Sequence, residues 1–344
     1  AIMMDPNTGE VLALIGGNNY SKSQFNRATK AKRQVGSTMK PLLYYSALES
    51  GFTSSSSFTS EKTTFTFSGG KSYSPKNYND RYAEGPLSME AAIAYSDNIY
   101  AVKTHLFLGE SNLINTAKRL GITSNLSEVP SLALGTSEIS LIEMTSAYSC
   151  FASLGYKTTP HFIKKIEDSK GNILYENKEE KELLLNPSLT YILNEMLTST
   201  YNKNFINYNY PTLISLLPQI THKYAIKSGT TDTDLLIMGY NKNVVLGVWN
   251  GYDNNTKIDS SEYSHHKNIW IDTMESYFKQ KEASWYEIPN NVVGVLTEPI
   301  TGALATDETQ NKEMFFYLKG TEPSAESNYK DLEAVFQEEN NSNT

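Results

Sequence analysis

Strand patterns lie at both ends of this sequence, and helical patterns fill the stretch between them. Two apolar runs, residues 1–4 and 11–15, flank the turn-forming residues 5–9, which predicts a β-hairpin. Similar short apolar runs return far along the chain, at residues 223–228, 235–240 and 244–249. Early and late strands of this kind can pair in one antiparallel sheet with helices on its faces. The sequence therefore predicts an α/β protein of the α+β type.

Helical patterns occupy most of the middle of the chain. Apolar residues recur with helical spacing at residues 42–50, 88–95, 98–108, 112–120, 138–154 and 187–200, and a closing helix is predicted at 268–279. Residues 52–86 are rich in Ser, Thr, Tyr and Gly and predict an irregular surface segment. A second hairpin is predicted around the turn at 169–172. The helices are expected to form the layers that cover the sheet.

Composition divides the chain into three parts. Residues 1–285 carry the long alternation of strands and helices and form the main domain. Residues 286–323 alternate like short strands and predict a small β-rich module, whereas residues 324–344 are rich in Glu, Asn and Ser and predict a disordered tail. Because strand patterning is present from the first residue, with no initiator ahead of it, we expect the chain to be an excerpt from a longer protein.

Charge and composition exclude several classes of function. The net charge is −8, which disfavours a nucleic-acid partner because phosphate binding needs concentrated Lys and Arg. No apolar run reaches the length of about 18 residues that suggests a membrane-spanning helix. The single cysteine, Cys150, cannot form an internal disulfide. His265 and His266 are adjacent and point in different directions, so no metal site is predicted.

The tetrad Ser37-Thr38-Met39-Lys40 is the first candidate for chemistry. Other Ser-x-x-Lys tetrads occur at residues 68–71, 264–267, 276–279 and 327–330, so the spacing alone is weak evidence. Only Ser37 follows a glycine and opens an apolar helix, where backbone N–H groups are free and the helix dipole is positive. A buried Lys40 on the same helix face can lose its proton and act as a base toward Ser37. The alternative is that Ser37 caps the helix and Lys40 is a solvated charge.

Two later motifs complete an ordered set. Ser96-Asp97-Asn98 lies at a break between two helical segments, and Lys227-Ser228-Gly229-Thr230 ends a predicted strand, where the glycine leaves room for a substrate at the strand edge. Taken alone, Ser96-Asp97-Asn98 favours an ordinary turn with a helix cap, and the alternative for Lys227-Ser228-Gly229-Thr230 is a plain strand end. Behind a Ser-x-x-Lys tetrad, in this order, they form the pattern of the penicillin-recognising serine enzymes.

Longer stretches around these motifs resemble class A, bifunctional penicillin-binding proteins. The segment FNRATKAKRQVGSTMKP is similar to the active-serine region of that family, and further similar stretches are residues 75–85, 96–103, 133–140, 226–231 and 244–253. The resemblance implies the penicillin-recognising serine transpeptidase fold over residues 1–285, a five-stranded antiparallel sheet flanked by helices with an all-helical subdomain. It also implies a glycosyltransferase domain and a membrane anchor upstream of this chain, and a location at the extracytoplasmic face of the bacterial cell membrane.

The resemblance also implies catalytic roles for the first two motifs. Ser37 attacks the carbonyl between the two terminal D-alanines of a peptidoglycan stem peptide, and Lys40 accepts its proton. Ser96 passes the proton to the departing D-alanine, and Asn98 orients Lys40 and the substrate amide. An amine of a second stem peptide then takes the acyl group, which makes the enzyme a D-Ala-D-Ala transpeptidase.

The third motif is implied to bind the substrate. Lys227, Ser228, Gly229 and Thr230 hold the substrate carboxylate, and the backbone N–H groups of Ser37 and Thr230 form the oxyanion hole. Ser228 stands where the family more often has threonine, but it retains a hydroxyl. β-Lactam antibiotics mimic the donor peptide and leave a slowly hydrolysed acyl-enzyme. No metal or organic cofactor is implied.

Other functions stay open from the sequence. A DD-carboxypeptidase uses water as the acceptor, and a β-lactamase hydrolyses the acyl-enzyme quickly with a glutamate base. The run Glu182-Leu183-Leu184-Leu185-Asn186 resembles the stretch that carries such a base, but it lies far along the chain from Ser96. A further alternative is a β-lactam sensor or a wall-binding scaffold, which has the same pocket but no catalytic activity. A Ser-His-Asp hydrolase is disfavoured because no Gly-x-Ser-x-Gly sequence occurs.

Overall fold

The computed structural model describes residues 1–178 and 180–324. Its strands are β1 (Ile2–Met4), β2 (Val11–Leu14), β3 (Lys32–Gln34), β4 (Ser57–Ser60), β5 (Phe65–Phe67), β6 (Lys71–Tyr73), β7 (Gly85–Ser88), β8 (Glu138–Ser140), β9 (Tyr156–Lys157), β10 (Lys165–Glu167), β11 (Ile173–Glu176), β12 (Glu182–Leu183), β13 (Ala225–Thr230), β14 (Asp234–Tyr240), β15 (Val245–Gly251), β16 (Val292–Thr297) and β17 (Glu313–Leu318). Its α-helices are α1 (Arg27–Lys30), α2 (Lys40–Glu49), α3 (Met89–Tyr95), α4 (Asn98–Leu108), α5 (Glu110–Arg119), α6 (Leu141–Ala152), α7 (Pro187–Met196) and α8 (His265–Phe278). The predicted tail, apart from Ser324, lies outside the described residues.

Strands from the two ends of the chain form the central antiparallel sheet. Its order is β13-β14-β15-β1-β2. The two ends of the chain join where β1 pairs with β15, with Ile2 opposite Gly247 and Met4 opposite Val245. The prediction that early and late strands meet in one antiparallel sheet is therefore confirmed. This order leaves β13 at an edge of the sheet, paired on one side only.

Helices cover both faces of this sheet, and two glycines show how closely they approach. A Cβ at Gly247 of β15 would lie 2.5 Å from Thr145 Oγ1 of α6. A Cβ at Gly239 of β14 would lie 2.3 Å from the ring of Trp270 of α8. Because Gly239 pairs with Leu246, the neighbour of Gly247, the two glycines point to opposite faces. Each glycine therefore lets one helix layer pack directly on the strands.

The predicted and observed helices differ mainly at their starts. The segment predicted as one helix at 138–154 begins as β8, which pairs with β3, and α6 starts only at Leu141. Ser140 and Glu143 form a reciprocal capping box, which fixes that start. Residues 52–86, predicted to be irregular, contain three short strands and the start of a fourth, in which β4 pairs with β7 and β5 with β6. Their Thr, Tyr and Phe residues suit short strands once partners are available.

The region predicted as a β-rich module, residues 286–323, contains the hairpin of β16 and β17. Phe315 and Tyr317 of β17 are only 0% and 1% exposed, and they belong to the same apolar core as residues of α2 and α3. The hairpin thus joins this core through one face of β17. A domain boundary at residue 285 stays a prediction. Among the described helices, none is both long and apolar enough to cross a membrane.

Candidate active site

Ser37 lies in a 3-10 turn, Gly36–Met39, that leads directly into α2. Gly36 has a φ of 55°, and its N–H donates to Gly135 O at 3.1 Å. A Cβ at Gly135 would lie 2.0 Å from Gly36 O, so the crossing of these two backbones requires glycine. Ser37 is partly exposed, whereas Gly36, Thr38 and Met39 are buried. The fold therefore leaves Ser37 accessible on a turn that is otherwise enclosed.

Lys40, one helical turn after Ser37, is completely buried. Its Nζ lies within hydrogen-bond distance of four acceptors: Ser96 O at 2.7 Å, Ser96 Oγ at 3.2 Å, Asp97 O at 3.1 Å and Asn98 Oδ1 at 2.7 Å. Burial lowers the pKa of Lys40 to about 7, although the Asp97 carboxylate acts in the opposite direction. An amine with this pKa is partly in its free-base form at neutral pH and can accept a proton.

The second motif is fixed at the junction of α3 and α4. Ser96 ends α3 in the left-handed region, with φ 55°, a conformation that costs a non-glycine residue about 1–2 kcal/mol. The N–H groups of Ser96 and Asp97 donate back to carbonyls of α3, at Ile93 and Ala92. Asp97 caps α4, because its Oδ1 accepts from Tyr100 N at 2.8 Å. Backbone strain of this kind is concentrated at functional sites.

Asn98 links the second motif to Lys40 and to a neighbouring loop. Its Oδ1 accepts from Lys40, while its Nδ2 donates to Lys76 O at 2.7 Å. The backbone N–H of Asn98 donates to Asn77 Oδ1 at 2.7 Å. These contacts fix the side-chain amide with its oxygen toward the lysine.

Asp97 and Asn77 support the site, although the sequence motifs predicted no catalytic role for either residue. Asp97 Oδ2 accepts from Ser60 Oγ at 2.5 Å and from Asn77 Nδ2 at 2.6 Å, and both partners are buried. An aspartate directly before a helical run is a capping signal, so that part of its function was readable. No sequence signal connects Asp97 with Ser60 or Asn77, which are distant along the chain.

Replacing Asp97 by alanine is expected to lower the free energy of unfolding by about 3 kcal/mol, because buried donors lose their acceptor. The donors are Ser60 Oγ, Asn77 Nδ2 and Tyr100 N. Urea unfolding followed by circular dichroism measures the change. Asp272→Ala, which removes an exposed carboxylate of α8, is the control and should leave the free energy of unfolding nearly unchanged. Equal losses in the two variants would contradict the role given to Asp97.

The third motif lies on the edge strand β13, against the turn that carries Ser37. A Cβ at Gly229 would lie 2.4 Å from Val35 O and 3.0 Å from Thr38 Cγ2. Because side chains alternate along a strand, Lys227 lies on the same face as Gly229. The glycine therefore lets this face of β13 come into contact with the turn before α2, and Lys227 is brought to the same side.

Thr230 presents its backbone amide at the open edge of the sheet. Thr231 N donates to Asp234 O at 2.9 Å, so these residues form a hydrogen-bonded pair of the antiparallel ladder. Bonded and non-bonded pairs alternate, and the N–H of Thr230 therefore points away from β14. That edge faces the turn, since a Cβ at Gly36 would lie 3.1 Å from Thr230 N. The N–H of Ser37, in the same turn, is among the donors that a helix start leaves unpaired.

Lys227 is the second buried lysine of the site. It is 0% exposed, and its Nζ donates to Ser228 O at 2.8 Å. Burial lowers the pKa of Lys227 well below its ordinary value, and the positive charges of Lys40 and Lys267 lower it further. A carboxylate bound beside Lys227 would counter the effect of burial and favour the protonated lysine. The site is therefore suited to a substrate carboxylate.

The structure brings all three predicted motifs together around Lys40 and the turn of Ser37. Ser228 is buried and Thr230 is exposed, and both lie on the face of β13 opposite Gly229. The chemical role of each residue stays a prediction. The geometry provides the hydroxyl of Ser37, the amine of Lys40 with a pKa of about 7, and N–H groups at the open edge of β13. Acyl transfer through a serine requires these groups as nucleophile, base and oxyanion donors.

Comparisons with known proteins establish the family. Residues 1–268 match the family model of the penicillin binding protein transpeptidase domain. Penicillin-binding protein 2D of Bacillus subtilis (strain 168) is 44% identical over 323 residues, covering 93% of this chain and 47% of that protein. Penicillin-binding protein 1A of Aquifex aeolicus (strain VF5) is 36% identical over 331 residues, covering 94% and 44%. The 2.6 Å crystal structure of penicillin-binding protein 1A from Haemophilus influenzae has a TM-score of 0.84 at 26% identity, covering 94% of this chain and 53% of that one.

The fold and these matches define a serine transpeptidase domain. More narrowly, the chain belongs to the penicillin-binding protein transpeptidase domain family. The family, the fold and the enzyme class predicted from the sequence are thereby confirmed. The chain spans about half the length of the relatives it matches.

Proposed function

We propose that this chain catalyses acyl transfer from the D-Ala-D-Ala end of a peptidoglycan stem peptide through an acyl-enzyme on Ser37. β-Lactams acylate the same hydroxyl. The observation that carries the proposal is the buried Lys40, whose Nζ contacts Ser96 and Asn98 and whose pKa is about 7. The free amine can take the proton of Ser37 near neutral pH.

The reaction has two steps, acylation of Ser37 and transfer of the acyl group to an amine. In the first, Ser37 Oγ forms an ester with the carbonyl carbon of the penultimate D-alanine, and its proton passes to Lys40. The peptide C–N bond breaks, and the departing D-alanine amine receives the proton through Ser96, whose Oγ lies 3.2 Å from Lys40 Nζ. In the second step an amine of another stem peptide attacks the ester, loses a proton to Lys40, and Ser37 recovers its hydroxyl.

Two further parts of the site support the substrate class. The N–H groups of Ser37 and Thr230 are the proposed oxyanion hole, which stabilises the negative oxygen that forms during attack, and one such donor is typically worth about 3–4 kcal/mol. The buried Lys227 can pair with a terminal carboxylate, whose negative charge favours the protonated lysine. The Ser228, Gly229 and Thr230 segment carries two hydroxyls along the open edge of β13. A peptide ending in a free carboxylate satisfies both requirements.

The position of Glu182 disfavours rapid hydrolysis of the acyl-enzyme. Glu182 lies in the exposed strand β12, where it pairs with Lys157 of β9. That strand pair is separate from the central sheet that carries the third motif. A base that activates water must instead be within hydrogen-bond reach of the ester, directly or through one water.

The wider context is part of the proposal. The relatives that the chain matches are about twice its length. We propose that the complete protein works at the extracytoplasmic face of the cell membrane, with an anchor and a glycosyltransferase domain in its remaining part. Cross-linking of stem peptides then takes place beside the site of glycan synthesis.

The test is a product analysis with a stem pentapeptide as donor and a stem-peptide amine as acceptor. Mass spectrometry should show a new cross-linked amide with loss of one D-alanine. A trimmed tetrapeptide alone would identify a carboxypeptidase, and penicillin labelling without peptide products would identify a sensor. Rapid turnover of penicillin would identify a β-lactamase. Each of these last three outcomes contradicts the proposal.

The rate of acylation by penicillin is expected to rise about tenfold per pH unit below pH 7 and to become constant above it, because the pKa of Lys40 is about 7 and its free base is the active form. The measurement is the acylation rate constant with a fluorescent penicillin between pH 5 and pH 9, a range set by that pKa. A flat profile would contradict the role of Lys40 as the base.

A further inference from the structure

The C-terminal hairpin, β16 and β17, lies beyond residue 268, where the match to the family model ends. We propose that this hairpin is a positioning element for the reaction: it fixes both ends of α3, the helix that places Ser96 beside Lys40. The inference rests on the proposed function, since it concerns the rate at which Ser37 is acylated.

Ser88 at the start of α3 is held by the segment between the two hairpin strands. Its N–H donates to Ile300 O at 2.7 Å and its Oγ donates to Pro299 O at 2.9 Å. The same Oγ accepts from Ala91 N at 3.1 Å and so caps the helix. Because Pro299 O takes the hydroxyl proton, the oxygen lone pair is left facing the helix. The hairpin therefore sets the orientation of the cap.

The other donors in the first turn of α3 are satisfied by residues 54–56. Met89 N donates to Ser56 O at 3.0 Å, and Glu90 N donates to Ser54 O at 3.2 Å. The first donors of a helix have no partners within the helix, so these contacts determine where it begins. The place of α3 thus depends on the place of residues 54–56.

Residues 54–56 are in turn fastened to the hairpin. Ser54 Oγ donates to Phe316 O at 2.9 Å, and Ser55 Oγ donates to Gly302 O at 2.7 Å. Gly302 has a φ of +74°, and a Cβ there would lie 2.7 Å from Ser55 Cα. Only glycine permits this approach of the two backbones. The start of α3 is therefore connected to the hairpin by two sets of hydrogen bonds, directly through Ser88 and indirectly through residues 54–56.

The end of α3 is held by a second contact chain. Tyr95, the last residue of α3, donates through its hydroxyl to Phe205 O at 2.5 Å. The ring of Phe205 is stacked on that of Phe315 in β17, with centroids 6.1 Å apart. Glu313 Oε2 accepts from two side-chain amides that precede Phe205, those of Asn202 and Asn204, each at 2.8 Å. The hairpin thereby holds the loop that receives Tyr95.

A displacement of α3 is transmitted to the catalytic loop, the pair Ser96 and Asp97 that joins α3 to α4 beside Lys40. The helix has only seven residues, so it moves as one short rod of about 10 Å. Ser96 and Asp97 are bonded to its last turn through Ile93 O and Ala92 O. Three of the four acceptors of Lys40 belong to these two residues, so a shift of α3 changes the surroundings of the base.

The first test compares Gly302→Ala with Gly320→Ala in the full chain of 344 residues. Both glycines have positive φ, but a Cβ at Gly320 meets nothing within 4 Å. The acylation rate constant at saturating fluorescent penicillin, its half-saturating concentration and its pH profile are measured at a temperature at which each variant is folded. We expect Gly302→Ala to lower the rate constant at least tenfold and to displace the midpoint of the pH profile. Gly320→Ala should match the unaltered chain.

A second pair of variants tests the same contacts if Gly302→Ala fails to fold. Glu313→Ala removes the contacts to Asn202 and Asn204, and Glu308→Ala removes an exposed carboxylate of the same hairpin. We expect only Glu313→Ala to slow acylation, by about threefold to tenfold, again with a displaced pH midpoint. Rate constants and pH midpoints equal to those of the unaltered chain, even with a lowered unfolding temperature, would overturn the positioning role and leave the proposed function intact. Absence of acylation in the unaltered chain would overturn both.

Discussion

Ser37→Ala is expected to abolish covalent labelling by a fluorescent penicillin, with a loss of about 10⁴-fold or more in the acylation rate. The reason is that the nucleophile works together with its base and oxyanion donors, and alanine offers no hydroxyl to be acylated. Ser37 is the partly exposed residue of an otherwise buried turn and lies one helical turn before the buried Lys40. Labelling detected in a denaturing gel, followed by mass spectrometry of the labelled peptide, measures the effect.

The sequence itself supplies a matched control for Ser37→Ala. Ser276 belongs to another Ser-x-x-Lys tetrad, but it is exposed in the last turn of α8, away from any helix start and its free N–H groups. Ser276→Ala should therefore label at the rate of the unaltered chain. Label that persists in Ser37→Ala, at any peptide, would remove this serine from the role of nucleophile.

Local sequence patterns were sufficient to place the three motifs on the correct kinds of structure. A glycine before an apolar run predicted the helix start at Ser37, and a break in the helical period predicted the junction between α3 and α4 at Ser96 and Asp97. The short apolar run at residues 223–228 predicted the strand of the third motif, which the structure places at Ala225–Thr230. These features depend on neighbours within a few residues, and for that reason they can be read from one sequence.

Contacts between distant segments could not be predicted in this way. An apolar or polar pattern shows that a residue is buried or capped, but it does not identify the partner. Asp97 meets Asn77 and Ser60 across 20 and 37 residues, and Ser55 meets Gly302 across 247. The glycine pattern at residue 302 is equally consistent with an ordinary turn. Both the support beneath the catalytic loop and its attachment to the C-terminal hairpin therefore required the structure.

Lys40→Met is expected to lower the acylation rate by about 10³-fold, because removal of a general base typically costs about 10²–10⁴-fold. Methionine has a similar length and an apolar side chain, so it suits a position that is 0% exposed. The acylation rate constant with fluorescent penicillin at pH 8 measures the loss. Lys118→Met, at an exposed position of α5, is the control and should leave the rate unchanged.

The same substitution is expected to change how stability depends on pH. The pKa of Lys40 is about 7 in the folded chain, whereas a lysine in the unfolded chain has the ordinary pKa of 10.5. Between these two values the unfolded chain binds a proton on this lysine that the folded chain does not, so the unfolding free energy of the unaltered chain rises with pH. The slope from this one residue is about 1.4 kcal/mol per pH unit. Methionine does not titrate, and Lys40→Met lacks this contribution.

The stability difference, Lys40→Met minus the unaltered chain, should therefore fall by about 1.4 kcal/mol for each pH unit between pH 7 and pH 10. Urea unfolding at several pH values in this range measures it, with Lys118→Met as the control variant at an exposed position of α5. Parallel stability curves for Lys40→Met and the unaltered chain would show that the lysine is protonated in the folded state throughout. In that case burial does not prepare Lys40 as a base, and the proton of Ser37 must pass to another group.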